Sequence, residues 1–168
     1  MHLIYRNLCV TLLLSTCLTY LMPDAEGQSA AKSNLRAGVA KVDITPAEVK
    51  ELEVVGHRRK VTGVRDPLRA GVLVLDDGQT KAAIVTLDLI GAYTEIVKPA
   101  RAQIEKETGI PAANIMVAAS HNHSGPGFDA NSAWGKELIA KLGAAAKQAA
   151  SKMTPVTVGY GEDKIGFS

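Results

Sequence analysis

The sequence predicts an α/β fold: a mixed sheet with a β-hairpin and a βαβαβ portion, with helices packed on the sheet. Two apolar runs flank Asp76-Asp77-Gly78-Gln79, where the Asp77-Gly78 pair supplies the positive φ of a tight hairpin turn. From residue 80 onward, strand-type and helix-type patterns alternate, which favours right-handed crossovers and a parallel portion in the sheet. The 168 residues fit one domain with enough length to bury a core.

The N-terminus reads as targeting rather than fold. Met1 to Arg6 is short and weakly basic, and Leu8 to Met22 is an apolar run without charge. Small residues follow in Pro23-Asp24-Ala25-Glu26-Gly27-Gln28. This pattern predicts a signal peptide over residues 1–27 and a secreted or periplasmic location, the run being short and poorly flanked for a membrane span. An uncleaved N-terminal anchor is the alternative. Leu14-Ser15-Thr16-Cys17 resembles a lipoprotein signal, but threonine before the cysteine fits that pattern poorly. Both cysteines, Cys9 and Cys17, lie in this segment, so the mature chain is expected to have no disulfide partner and no thiol ligand. Removing residues 1–27 takes away Arg6, Asp24 and Glu26 and moves the net charge from +2 to +3. That is no polybasic footprint, and with few aromatics it points to no nucleic-acid partner.

Residues 28–35 read as a polar linker, and the domain follows over 36–168. Ala37-Gly38-Val39-Ala40-Lys41-Val42-Asp43-Ile44 has strand character and is halted by Thr45-Pro46. Residues 47–66 are irregular and carry the basic cluster His57-Arg58-Arg59-Lys60, either a solvated loop or a contact for an anionic substrate or lipid head group. The hairpin strands are Gly71 to Leu75 and Ala82 to Leu87. The second is apolar nearly throughout, as expected of a strand covered on both faces. Ile96, Val97, Ala100 and Ile104 keep helical spacing over 94–108, with Pro99 suited to a first turn and Gly109 to a C-terminal cap. A strand at 114–119, an alanine-rich helix at about 132–151 and a strand from Thr154 to Gly161 complete the order.

The candidate site is Ala119-Ser120-His121-Asn122-His123, running into Ser124-Gly125-Pro126-Gly127. In extended backbone a His-x-His pair points both imidazoles to one side. Two converging neutral imidazoles suit a divalent metal, zinc first. The Ser-Gly-Pro-Gly that follows permits a sharp turn and close approach of backbone to a ligand. The histidines fall just after the 114–119 strand, and Asp88 falls just after the strand that precedes it in sequence. If those strands are neighbours, one edge of the sheet carries both, where α/β sheets bind ligands.

Ala37 to Pro46, Gly63-Val64-Arg65-Asp66-Pro67-Leu68, Leu87-Asp88-Leu89 and Ser120-His121-Asn122-His123-Ser124-Gly125-Pro126-Gly127 together resemble the neutral, non-lysosomal ceramidase family in its N-terminal catalytic region. The matches span most of the mature chain in family order. Asn122 stands where the family usually has threonine. The resemblance implies a zinc-dependent amidohydrolase that cuts the N-acyl bond of ceramide to a sphingoid base and a fatty acid. It implies a ceramide-like lipid substrate, Zn²⁺ as cofactor and peripheral membrane contact. His121 would be a zinc ligand, and His123 the catalytic imidazole that handles a proton or the developing oxyanion. Asp88 is placed to orient a ligand or, equally, to cap a strand end.

In the family the other zinc ligands are a histidine, a glutamate and a tyrosine well downstream of this loop. Beyond His121 and His123 the mature chain has only His57, and neither Tyr93 nor Tyr160 has a matching context. Three protein ligands are the norm for catalytic zinc. The expectation is therefore the N-terminal part of a longer catalytic domain. A non-catalytic relic or a lipid- or metal-binding module is the alternative, and an unrelated α/β domain with ordinary loop histidines is a third reading.

Overall fold

The structure is a computed structural model that describes residues 34–57 and 59–166. The expected signal segment, both cysteines, residues 28–33 of the linker, Arg58 and the last two residues lie outside the described residues. The elements are β1 (Arg36–Asp43), β2 (Arg69–Asp76), β3 (Lys81–Leu87), α1 (Thr94–Thr108), a one-turn 3₁₀ helix (Ala112–Asn114), β4 (Ile115–Ala119), α2 (Ala133–Ser151) and β5 (Thr154–Pro155).

They form one mixed five-stranded sheet in the order β4-β3-β2-β1-β5, with helices packed on it. β2 and β3 make the expected antiparallel hairpin. Its turn is held by Asp77, whose Oδ1 accepts from Gln79 N at 2.9 Å and Thr80 N at 2.7 Å, while Gly78 takes φ 89°. β3 and β4 pair in parallel, from Ala83 with Ile115 to Leu87 with Ala119. The two strands that precede Asp88 and the histidine loop are therefore neighbours.

α1 starts at Thr94, a turn and a half before Pro99, rather than at the proline. Ile96 is buried in line with Ala100 and Ile104, so the stripe facing the core begins ahead of Pro99. Its burial outweighs the single backbone bond that proline deletes. Gly109, at φ 71°, closes the helix with its N–H on Glu105 O. The Arg101 Nε donates to Ile115 O at 2.7 Å and ties α1 to β4.

α2 lies close to β1 because both surfaces are small. A Cβ on Gly38 would collide with the carbonyl of Ala149, and Ala145, Ala146 and Ala149 are buried along the helix. Ser132 caps the helix by accepting from Gly135 N at 2.9 Å. Trp134 Nε1 donates to Ile44 O at 2.7 Å and pins the start of α2 to the end of β1.

Two expectations are corrected. β3 is buried on one face only: Ala83, Val85 and Leu87 enter the core, while Ile84 is half-buried and Thr86 exposed. Register places Val39, Leu73, Ile84 and Met116 in one row across four strands on that second face, with Val39 69% and Met116 52% exposed. The final strand also shrinks to two residues. It pairs antiparallel with β1 at the far edge, so only β3-α1-β4 is a parallel unit. The partner strand begins at Arg36, Pro155 brings no donor, and Gly159 and Gly161 favour no ladder beyond.

Candidate functional site

The site is built where β3 and β4 end side by side. The chain keeps ladder-like bonds past both strands: Ser120 N donates to Leu87 O at 2.9 Å and Asn122 N to Leu89 O at 3.1 Å. Between them the backbone departs from extended geometry. His121 has φ 61°, the one non-glycine residue with positive φ among the described residues. The expectation that simple alternation aligns the two imidazoles is thus corrected: the left-handed turn at His121 shapes the loop. The rings still meet, with centroids 4.7 Å apart and planes at 84°.

His121 Nδ1 lies 2.8 Å from the carbonyl oxygen of Ile90. A carbonyl only accepts, so Nδ1 carries a proton toward Ile90 O, and Nε2 is the ring nitrogen left to meet a ligand. This is the arrangement in which metal-binding imidazoles are commonly held, the second nitrogen being fixed by a backbone carbonyl. Both His121 and His123 are exposed.

Asp88 is placed at the same edge, and its partners are named atom by atom. Oδ2 accepts from Arg69 N at 3.0 Å, and Oδ1 accepts from Ser120 Oγ at 3.5 Å. The carboxylate therefore joins the start of β2 to the residue before His121, and its hydrogen bonds go to neither ring. Asn122 holds the loop from within: Oδ1 accepts from Ser124 N at 2.8 Å and Nδ2 donates to Asp88 O at 3.4 Å.

Pattern reading misses the arm formed by residues 45–68. Asp43 Oδ1 accepts from Thr45 N, and Thr45 Oγ1 accepts from Leu68 N at 2.9 Å, which closes the arm at its base. Hydrogen bonds from Thr45 hold the Asp43 carboxyl below its ordinary value. The tip is stapled to the histidine loop: Val55 N donates to Gly125 O at 3.0 Å, and Val54 bridges Pro126. Gly125 and Pro126 are buried, and neither Gly125 nor Gly127 has positive φ, so this segment serves as a packing seam. The arm carries His57 and Lys60 exposed, Lys60 pairing with Glu51 at 2.6 Å. Among the described residues no three His, Cys, Asp or Glu side chains converge as a metal would require.

Between arm and loop lies a cavity of about 400 Å³. Its apolar wall includes Pro46, Val49, Val61, Val64 and Leu68, and its loop side is Asn122, Ser124, Gly125 and Pro126.

Comparison of this arrangement with solved structures finds the same fold in neutral ceramidase from Pseudomonas aeruginosa, at TM-score 0.64 and 22% identity. The domain is neutral-ceramidase-like in fold. A second structure, of ceramidase complexed with C2, matches at TM-score 0.61 and 23% identity. Each match covers 72% of this chain and 22% of the ceramidase chain. No family model and no curated protein matches the sequence. The ceramidase-like region thus corresponds to about a fifth of the solved ceramidase chains.

Proposed function

We propose that this chain forms part of a zinc-dependent amide hydrolase of ceramidase type, cleaving the N-acyl bond of ceramide or a related N-acyl lipid. The observation that carries the reading is the His121 Nδ1 bond to Ile90 O, which leaves Nε2 free beside His123 on a neutral-ceramidase-like fold. The donor chemistry fits a zinc ligand, since the ring is oriented by Ile90 O and accessible. His121 would hold the metal through Nε2. When bound, zinc supplies Lewis acidity toward an amide carbonyl and toward water. His123, with its ring against His121, would donate to the developing oxyanion or pass a proton to the departing amine. Asp88 would steady the loop through Ser120. The remaining ligands would be supplied by residues other than those described, and export through residues 1–27 with peripheral contact to a lipid surface belongs to the same proposal.

The lack of a three-ligand cluster among the described residues favours a second reading, a non-catalytic lipid- or metal-binding module. Zinc stoichiometry on the purified chain, paired with hydrolysis of a fluorescent N-acyl sphingosine, separates the two. Turnover that depends on zinc and on His121 supports the hydrolase. Zinc or lipid binding without turnover supports the module, and neither binding nor turnover overturns both.

A further inference from the structure

We infer that Tyr93 is a positioning residue for His121: its ring lies on Gly91 and thereby aims the Ile90 carbonyl that orients the imidazole. The consequence for metal binding rests on the zinc reading of His121. The coupling itself rests on this chain's own geometry.

The segment between β3 and α1 is fixed at both ends. On one side Leu89 is buried, and its carbonyl accepts from Asn122 N at 3.1 Å. On the other, Tyr93 is the N-cap of α1, and its carbonyl accepts from Ile96 N at 2.9 Å and Val97 N at 2.8 Å. Between these anchors Gly91 and Ala92 make no main-chain hydrogen bond with the described residues. The Ile90 carbonyl and the Gly91 N–H belong to one planar peptide unit, so whatever holds Gly91 also directs Ile90 O. That oxygen is the one that lies 2.8 Å from His121 Nδ1.

What lies against Gly91 is the Tyr93 ring. A Cβ on Gly91 would stand 2.5 Å from Cζ and 2.7 Å from Cε2 of that ring, closer than side chains come. Gly91 has no positive φ, so its backbone conformation does not require glycine. The close approach of the ring does. Among the described residues the ring makes no stacking contact with either imidazole, and its hydroxyl has no hydrogen-bond partner. Tyr93 therefore acts through Gly91 and Ile90, by the face of its ring.

The ring is no part of the core. Tyr93 is 56% exposed and makes no side-chain capping bond, so its removal opens no cavity and leaves the start of α1 intact. What is lost is the hold on Gly91. With Ile90 O free to turn away, nothing selects Nδ1 as the protonated nitrogen, and both tautomers become populated.

The test reads the tautomer in the metal-free full chain, from long-range ¹H–¹⁵N spectra at about pH 9, where imidazoles are neutral. The His121 signals are assigned by their loss in His121→Gln. The wild-type chain and Tyr93→Phe are expected to show Nδ1–H as the dominant form, and Tyr93→Ala a mixture. Gly91→Ala keeps the tyrosine but displaces its ring, so it should give the same mixture, and it serves if Tyr93→Ala fails to fold. Zinc affinity, read by competition with a chromophoric chelator, should fall about 10-fold in both and hold in Tyr93→Phe. Undiminished Nδ1–H in Tyr93→Ala and Gly91→Ala overturns the inference. So does a mixture in Tyr93→Phe, which would assign the effect to the hydroxyl. Failure of the zinc reading is distinct: a wild-type chain that retains no zinc, but whose tautomers mix on loss of the ring, loses the ligand and keeps the positioning role.

Discussion

The ring of His121 is held by the chain segment beyond the neighbouring strand: its Nδ1 donates to Ile90 O across a 31-residue separation, at 2.8 Å. The bond fixes both the tautomer and the direction of Nε2, and it does so from a residue whose own backbone is left-handed. Tautomer and backbone are separable by experiment.

The first prediction uses the backbone. An L-residue without a compensating contact pays about 1–2 kcal/mol for the left-handed region, and glycine pays almost nothing. His121→Gly should therefore be more stable than His121→Ala by about 1 kcal/mol in urea denaturation. If His121 is the proposed zinc ligand, both should lose zinc retention to the same extent, because both lack the imidazole. Equal stabilities would refute the conformational assignment, and unchanged zinc content would refute the ligand.

The second concerns Asp88. Removing its carboxylate leaves Arg69 N without a partner at a half-buried position, so Asp88→Ala should cost about 1–3 kcal/mol of stability. Its bonds go to backbone and to Ser120 rather than to either ring, so on the proposed zinc reading the affinity should fall less than the roughly 10-fold expected from loss of a ligand's direct partner. Competition with a chromophoric chelator reads this directly.

How much of this was legible beforehand follows from where the information lies. The hairpin is local, written in Asp77-Gly78 and two apolar runs, and the β3-α1-β4 unit is written in a change of period. The meeting of Asp88's strand with the histidine strand follows from the crossover. The arm over residues 45–68 is not legible, because it is fixed by the Thr45 hydroxyl at Leu68 N and by main-chain bonds with Gly125 and Gly127, which no periodicity encodes. The left-handed His121 is hidden for a similar reason. Alternation assumes extended backbone, and the bond to Ile90 that accompanies the departure is long-range. The truncated β5 depends on where its partner strand starts, which its own alternating residues do not say.

A third prediction is acid sensitivity at the hairpin. Backbone N–H groups of Thr80 and Gln79 donate to Asp77 and hold its carboxyl below the ordinary 3.8. A carboxyl depressed in the folded state stabilises above its unfolded pKa, and that contribution is lost as pH falls through the folded value. The loss is therefore confined to acid below about pH 4. A carboxyl-carbon NMR titration should place the Asp77 midpoint below 3.8, and Asp77→Asn should flatten this part of the stability profile. A midpoint at or above 3.8 would contradict the turn geometry.

The fourth is packing of α2 on β1. With the Ala149 carbonyl where a Gly38 side chain would stand, Gly38→Ala must push the helix outward. Overpacking of this kind costs about 1–3 kcal/mol. The effect should be a lowered denaturation midpoint with an unchanged slope, since the same core unfolds. A neutral Gly38→Ala would mean that α2 does not approach the sheet this closely.

The fifth concerns the sheet face that neither α1 nor α2 covers, which carries the row through Ile84. Val39, Leu73, Ile84 and Met116 form a contiguous apolar row, and Met116 stands on the edge strand β4, where unpaired backbone groups already invite association. A row of this kind on an otherwise charged surface promotes self-association as concentration rises. Because Met116 is half exposed, Met116→Lys removes apolar surface from solvent without opening a cavity, and its charge opposes edge pairing. Light scattering coupled to size exclusion should show the wild-type chain growing with concentration and Met116→Lys remaining at one mass. Thermal unfolding of the two should agree within about 0.5 kcal/mol, as for a surface substitution. A wild-type chain that stays monodisperse at the highest concentrations would mean that this row is tolerated in water, and that the open face drives no association.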